Sequence, residues 1–276
     1  MHTNKVWYIT GASKGMGLSL VKNLLQMGHT VIGTSRRLDS LSNISESDDF
    51  LPIEVDLGNE ESIANSFKKA VERFGRIDVV VNNAGFGTGG ALEELSTAEI
   101  NENFNINFFA AIRVIQHALP YLRKQQSGNI INISSIAGFA PGTGWSVYAA
   151  TKFALSGLSE GLSNDLKPLG IHVTAISPGG FRTNFASADA LVYAGNNMPE
   201  YNYIRAHHAK FNAMHGMQTG NPEKIAAVLV KITESENPPV NLFLGSDAYQ
   251  RASDKINFLS SQMEEWKEVS FSTDFS

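Results

Sequence analysis

Ser135, Tyr148 and Lys152 are the residues whose types and spacing could do chemistry; they stand in the segment NISSIAGFAPGTGWSVYAATK. Tyr148 and Lys152 are four residues apart, so on a helix they share one face. A free phenol ionises near pH ~10, and an ammonium a few ångströms away favours the phenolate. The pair is therefore expected to give a phenol that exchanges protons near neutral pH. A hydroxyl from Ser135 could hold a carbonyl oxygen against it. Each residue alone also has a plain structural reading: a buried tyrosine with its hydroxyl satisfied, or Ser134 or Ser135 capping a turn.

Far upstream stands VWYITGASKGMGLSLVKNLL. The apolar run Val6 to Thr10 leads into Gly11, Gly15 and Gly17, and a helical pattern follows at Leu18, Val21, Leu24 and Leu25. Glycines here let the backbone turn sharply and approach a pyrophosphate, whose charge then meets a helix N-terminus. The spacing is G-x-x-x-G-x-G, unlike the commoner G-x-G-x-x-G dinucleotide fingerprint. By itself it also fits a strand-to-helix turn without a ligand.

These pieces, taken in order, resemble the short-chain dehydrogenase/reductase family. They are TGASKGMG, NNAG at Asn82 to Gly85, Asn107 in NINFFAAIRV, ISS with Ser135, YAATK with Tyr148 and Lys152, and PGGFRT at Pro178 to Thr183. The segments PGGFRTNF and LFLGSDAY are similar to the branch that contains 17β-hydroxysteroid dehydrogenases and many bacterial oxidoreductases. The resemblance implies a doubly wound Rossmann fold, a nicotinamide cofactor and a catalytic group of Asn107, Ser135, Tyr148 and Lys152. In that group Tyr148 exchanges the proton and Ser135 binds the substrate oxygen. Lys152 lowers the tyrosine pKa and holds the nicotinamide ribose, and Asn107 helps to organise a water chain to the lysine.

The second strand ends in Ser35, Arg36 and Arg37, where an acid would bind a ribose 2′-hydroxyl. A serine followed by guanidinium groups suits a 2′-phosphate, and Lys14 in the glycine loop adds a cation. Solvated surface arginines are the alternative; the family resemblance favours NADP(H). It also implies that Gly11, Ser13, Lys14, Gly15, Met16 and Gly17 hold the phosphates with Arg36 and Arg37. Asp56 would accept from the adenine amine beside Leu57, although a turn acid is the plain alternative. Asn82 and Ala84 would border the adenosine ribose, Gly85 permits close backbone approach there, and Asn83 belongs to the same cofactor site. Pro178, Gly179, Phe181 and Thr183 would flank the nicotinamide with Tyr148 and Lys152.

Strands and helices alternate along the chain, which argues for a parallel sheet covered on both faces. Expected strands are Val6 to Thr10, Thr30 to Ser35, Leu51 to Val55, Val79 to Asn82, Asn129 to Ser134, His172 to Ser177 and Asn241 to Leu244. Long helices are expected over Glu60 to Phe74, Glu99 to Gln125 and Val147 to Leu166. Asparagine is unfavourable inside such a helix, which marks Asn107. Residues 184–220 break the rhythm and leave from a strand end, so they are read as a substrate lid. The tail, residues 247–276, reads as a polar amphipathic helix with a frayed end, whose Trp266 packs on the body or on a neighbouring subunit. No linker divides the 276 residues, so a single α/β domain is expected.

Net charge is −5, which gives no reason to expect nucleic-acid or anionic-membrane partners. There is no cysteine, which excludes disulfides and thiol nucleophiles. No apolar run approaches ~18 residues and no secretory leader is visible, so a cytoplasmic protein is expected. His207, His208 and His215 have no acid cluster beside them and read as solvated lid histidines, so no metal is expected. No G-x-S-x-G elbow supports a hydrolase. Phe86, Phe139, Trp145, Phe181, Phe185, Tyr193 and Tyr203 fall near the expected mouth; they either form a pocket for an apolar or aromatic carbonyl or pack a lid. The leading expectation is an NADP(H)-dependent ketone or aldehyde reductase, reversible as an alcohol dehydrogenase. A silent NADP(H) sensor and an NADP-using epimerase or dehydratase are the alternatives. The family usually forms dimers or tetramers through the helices after Glu99 and around Tyr148, so a homodimer or homotetramer is expected.

Overall fold

The computed structural model describes residues 4–183, 185 and 190–275. Its strands are β1 (Val6–Thr10), β2 (Thr30–Ser35), β3 (Phe50–Glu54), β4 (Val79–Asn82), β5 (Gly87–Gly89), β6 (Gly128–Ile133), β7 (Ile171–Pro178), β8 (Leu191–Tyr193) and β9 (Asn241–Leu244). Seven of them form one parallel sheet in the order β3-β2-β1-β4-β6-β7-β9, a doubly wound Rossmann arrangement. β5 and β8 pair in parallel as a small separate sheet.

The main helices are α1 (Gly15–Gln26), α2 (Glu60–Phe74), α3 (Thr97–Phe104), α4 (Ala110–Gln125), α5 (Ser146–Leu166), α6 (Asn202–Ala213), α7 (Ile225–Glu234), α8 (Ser246–Glu265) and the short α9 (Lys267–Phe271). β1 shows why both sheet faces are covered. Trp7 and Ile9 join α1 and α7 in one core, while Val6 and Tyr8 join α2, α4 and α5 in the other. Helix ends obey local rules where no ligand is needed. α2 begins at Asn59, whose side chain accepts from Ser62 N at 3.1 Å, and ends at left-handed Gly75. The order of strands reverses between β1 and β4, which opens a crevice at their C-terminal ends.

Three expectations change. The single helix over Glu99 to Gln125 is instead α3, a π-helical turn at Asn105–Phe109, and α4. The extra residue in that turn surrounds Asn107, the residue that a regular helix disfavours. Within residues 184–220, positions 184 and 186–189 lie outside the described residues. The remainder is more ordered than a structureless insert: β8 pairs with β5, and α6 follows. α6 was not anticipated because it buries only Ile204 and His208, too few positions to make a visible helical stripe. Finally, Trp266 does not pack on the body; it is 58% exposed at the end of α8. Among the described residues no helix is long and apolar enough to cross a membrane.

Candidate active site

The glycine loop between β1 and α1 is fixed by backbone geometry. Gly11 and Gly15 have φ of 66° and 55°, a region where a side chain is strained. A Cβ on Gly17 would lie 2.3 Å from the Gly11 carbonyl oxygen and 2.6 Å from Asn83 Nδ2. Asn83 Nδ2 donates to the carbonyls of Thr10 and Gly11 at 2.9 and 3.1 Å. The Thr10 hydroxyl accepts from both Asn83 N and Ala84 N at 3.0 Å. The ends of β1 and β4 are thus tied into one floor. The first turn of α1 has neither an acidic residue nor a side-chain cap. This contrasts with α2, where Asn59, Glu60 and Glu61 cover the N-terminus. An open positive helix end above glycines fits a pyrophosphate.

The other faces of the crevice come from β2, β3 and β7. Arg36 and Arg37 are exposed beyond β2, and Arg37 lies 3.8 Å from Asp39. Ser35 Oγ donates to Ser13 Oγ at 3.2 Å, which joins the β2 end to the glycine loop. Lys14 is exposed at the start of α1, and Met16 packs against the core behind it. Asp56 Oδ1 accepts from Gly58 N at 2.8 Å, a turn contact, and the Leu57 carbonyl accepts from Arg113 at 3.0 Å. Beyond β7, Thr183 Cβ lies 3.8 Å from where a Gly15 Cβ would be, so the 178–183 segment borders the glycine loop. Phe181 is half-buried and packs against the core.

Ser135, Tyr148 and Lys152 meet where β6 joins α5. Lys152 Nζ donates to the Ile133 carbonyl at 2.9 Å, and Ser134 Oγ donates to the Lys152 carbonyl at 3.0 Å. Gly138 makes this possible: a Cβ there would sit 2.7 Å from the Lys152 carbonyl carbon. Ser135 Oγ also accepts from Ala137 N at 3.1 Å, so the turn-capping reading of this residue holds as well. Asn107 grips the Phe86 backbone at both polar groups. Its Oδ1 accepts from Phe86 N and its Nδ2 donates to Phe86 O, each at 2.9 Å, with Thr151 Oγ1 at 3.1 Å. Gly85 fits between the two sites: a Cβ on it would lie 2.9 Å from Asn107 Oδ1 and 3.3 Å from Lys152 Nζ.

The electrostatics differ from the expected phenolate. Burial pushes the Tyr148 phenol up to about 12, with its hydrogen bond to Ser135 acting in the opposite sense. Burial pushes the Lys152 ammonium down to about 8. Lys152 Nζ lies 5.9 Å from the centre of the Tyr148 ring and bonds a carbonyl oxygen. At that range desolvation, which disfavours the charged form of each group, outweighs their attraction.

Residues 190–213, with Trp145 and Phe185, supply one wall. Trp145 lies 6.3 Å from the Tyr148 ring and Phe185 lies 6.0 Å from it. His208 corrects an expectation: it is buried rather than solvated. Its ring sits 4.7 Å from Trp145 and 4.8 Å from Tyr193, with Nε2 3.1 Å from the Gly144 carbonyl. Burial lowers its pKa against the pull of that carbonyl. Tyr203 is 54% exposed, and Phe139 packs on Phe243 beneath α8 at 5.1 Å, so neither joins the aromatic wall. The wall is held from α3 and the turn before it. Glu94 accepts from Ala91 N, Met198 N and Arg205, and Gly195 N donates to Glu99. These donors, the Met198 amide foremost, hold the Glu94 carboxyl below its usual range.

Thr10, Thr151 and Asp247 also position the site, though the sequence did not single them out. Asp247 Oδ2 accepts from Gly180 N at 2.7 Å, and a Cβ on Gly179 would meet its Oδ1 at 2.2 Å. Arg251, one turn along α8, donates to the Ala140 carbonyl. α8 therefore braces two loops of the crevice. An acid at the first turn of a helix was the available signal for Asp247, but it reads as an ordinary capping acid.

A family model described as short chain dehydrogenase matches residues 5–191. Oxidoreductase BOA17 of Botryotinia fuckeliana is 32% identical over 272 residues, covering 98% of this chain and 99% of that protein. A short-chain dehydrogenase from Streptomyces avermitilis has a crystal structure similar to this one. Its TM-score is 0.91 at 36% identity, over 99% of this chain and 100% of that chain. ElxO, solved with NADP bound, matches with a TM-score of 0.74 at 25% identity, over 90% of this chain and 100% of its own.

Gly17→Ala tests the cradle. The new methyl must displace the Gly11 carbonyl or Asn83, so dinucleotide affinity is expected to fall at least about tenfold, ~1.4 kcal/mol. Fluorescence titration with NADPH reads this; unchanged affinity would remove the loop from the binding site.

Proposed function

The chain belongs to the short-chain dehydrogenase family, and on that premise we propose that it is an NADP(H)-dependent oxidoreductase that reversibly reduces a ketone or aldehyde to an alcohol. The observation that carries the reading is the joining of Ser135, Tyr148 and Lys152 at the end of β6 and the start of α5, beside the glycine-built crevice. A nicotinamide dinucleotide supplies the hydride when bound. The open α1 N-terminus, Gly11, Ser13, Gly15, Met16 and Gly17 would hold its pyrophosphate. Lys14, Arg36 and Arg37 would hold the 2′-phosphate. Asp56, Leu57, Asn83, Ala84 and Gly85 would take the adenosine, and Pro178, Gly179, Phe181 and Thr183 the nicotinamide end. Homo-oligomerisation and a cytoplasmic setting belong to the same proposal.

The chain's own residues do the proton chemistry. The Tyr148 phenol, neutral across the physiological range, donates its proton to the substrate oxygen during reduction. Ser135 Oγ donates a hydrogen bond to that oxygen as charge grows on it. Lys152, charged below pH about 8, stabilises the tyrosinate that remains. Asn107 holds the Gly85–Phe86 backbone against Lys152. Trp145, Phe185, Tyr193 and His208 form an aromatic boundary beside Tyr148, which suits an apolar or ring-bearing substrate. Residues 184–220, from which part of this wall comes, serve as the lid.

A panel of aryl ketones, diketones, aldehydes and steroid ketones, followed by nicotinamide absorbance, tests the reading. Tyr148→Phe should abolish turnover and keep NADPH binding, whereas retained activity would remove the tyrosine as proton donor. Arg36→Ala should weaken NADPH by ~2 kcal/mol and leave NADH nearly unchanged; equal losses for both cofactors would refute the phosphate contact. The pH profile has a defined sign. Oxidation needs the phenolate, whose fraction grows with pH below a pKa of about 12, and Lys152 keeps its charge only below about 8, so oxidation should climb between pH ~6 and ~8 while reduction does not. A reduction rate that climbs over the same range would contradict Tyr148 as the acid.

A further inference from the structure

α8 carries an apolar stripe that runs off the body. Ala248 and Ala252 bury it against Ile136, Phe139 and Phe243. The same stripe continues at Ile256, Leu259, Met263 and Trp266, which are 52, 39, 74 and 58% exposed. From Tyr249 the spacing alternates three and four residues, which is the a/d pattern of a helix that pairs with another helix. Every residue from 256 to 275 is exposed. Most helical stability in proteins comes from packing an amphipathic face, and a short unpacked helix is marginal in water. Among the described residues, this arm has none of that packing within its own chain.

We propose that residues 256–271 pair with the same arm of a second copy of this chain about a twofold axis. This pairing gives the homo-oligomerisation of the proposed function a location and does not depend on the redox chemistry. Acids outnumber bases six to three between residues 246 and 275, so the arm is unsuited to an anionic lipid surface. A twofold pairing needs a self-complementary stripe, and this one has a workable antiparallel register. Ile256 meets the partner's Trp266, and Leu259 meets the partner's Met263. The flanking Ser260 and Gln262 then face their own counterparts, with no like charges opposed. Four stripe side chains, each contributing on the order of 100 Å², supply about half of the roughly 800 Å² per partner that a stable interface needs and form its apolar centre. A cleft of 190 Å³ lined by Phe139, Phe243 and Ile256 extends the apolar surface toward the body.

The test uses the full chain. Light scattering should show that Leu259→Glu/Met263→Glu halves the particle mass, with circular dichroism and NADPH binding of the remaining fold retained. The chain has no cysteine, so Ser260→Cys introduces a lone thiol. A short bismaleimide should link it to a second copy at micromolar protein, and the added Leu259→Glu/Met263→Glu pair should abolish the link. Equal mass for wild type and the double variant overturns the proposal. So does a monomeric wild type, or an arm that binds phosphatidylcholine–phosphatidylserine vesicles while the thiols stay unlinked.

Discussion

The buried ammonium of Lys152 sets the terms for the rest of the site. A charge taken out of water is costly unless its donors find partners. Lys152 donates to the Ile133 carbonyl at the end of β6, and that contact fixes where α5 lies on the sheet. Ser134 closes the junction from the other side by donating to the lysine carbonyl and bonding Ser156. Tyr148 lies one turn before Lys152 on α5, where its hydroxyl hydrogen-bonds Ser135. Gly138 permits the approach because any side chain there would overlap the lysine backbone.

Hydrogen bonds between strand ends then convert separate loops into one surface. Thr10 and Asn83 join β1 to β4, Ser13 and Ser35 join β1 to β2, and Asp247 joins β7 to α8. Each contact ties together residues far apart in sequence, so the crevice is rigid where the sheet is rigid. The wall formed by residues 190–213 is attached differently. It rests on charged and aromatic contacts: Glu93 with Tyr201, Glu94 with Arg205, and Trp145 with His208. An element held at its base by side chains, whose sheet contact among the described residues is a three-residue parallel pairing, can be remodelled without disturbing the glycine loop.

The two halves of the site therefore have separate physical logics. The glycine loop depends on backbone conformation and on an uncapped helix end. The wall depends on the shapes of Trp145, Phe185, Tyr193 and His208. One fold can keep the first and vary the second, so the family is visible in the backbone while the side chains of the wall are free to differ.

The sequence by itself determined the parallel sheet, the glycine cradle and the pairing of Tyr148 with Lys152. These are local properties: strand composition, backbone freedom at Gly11, Gly15 and Gly17, and a spacing of four on a helix face. Strand limits shifted by about one residue, as expected where ends are set by neighbours rather than by propensity. Tertiary structure alone decided the balance of charge at Tyr148 and Lys152, the grip of Asn107 on Phe86, the burial of His208 and the reach of Asp247 to Gly180. Desolvation and hydrogen bonding depend on which distant groups arrive and how much water they exclude. No window of sequence contains the 67 residues that separate Gly180 from Asp247, or the 64 between Gly144 and His208, as a contact.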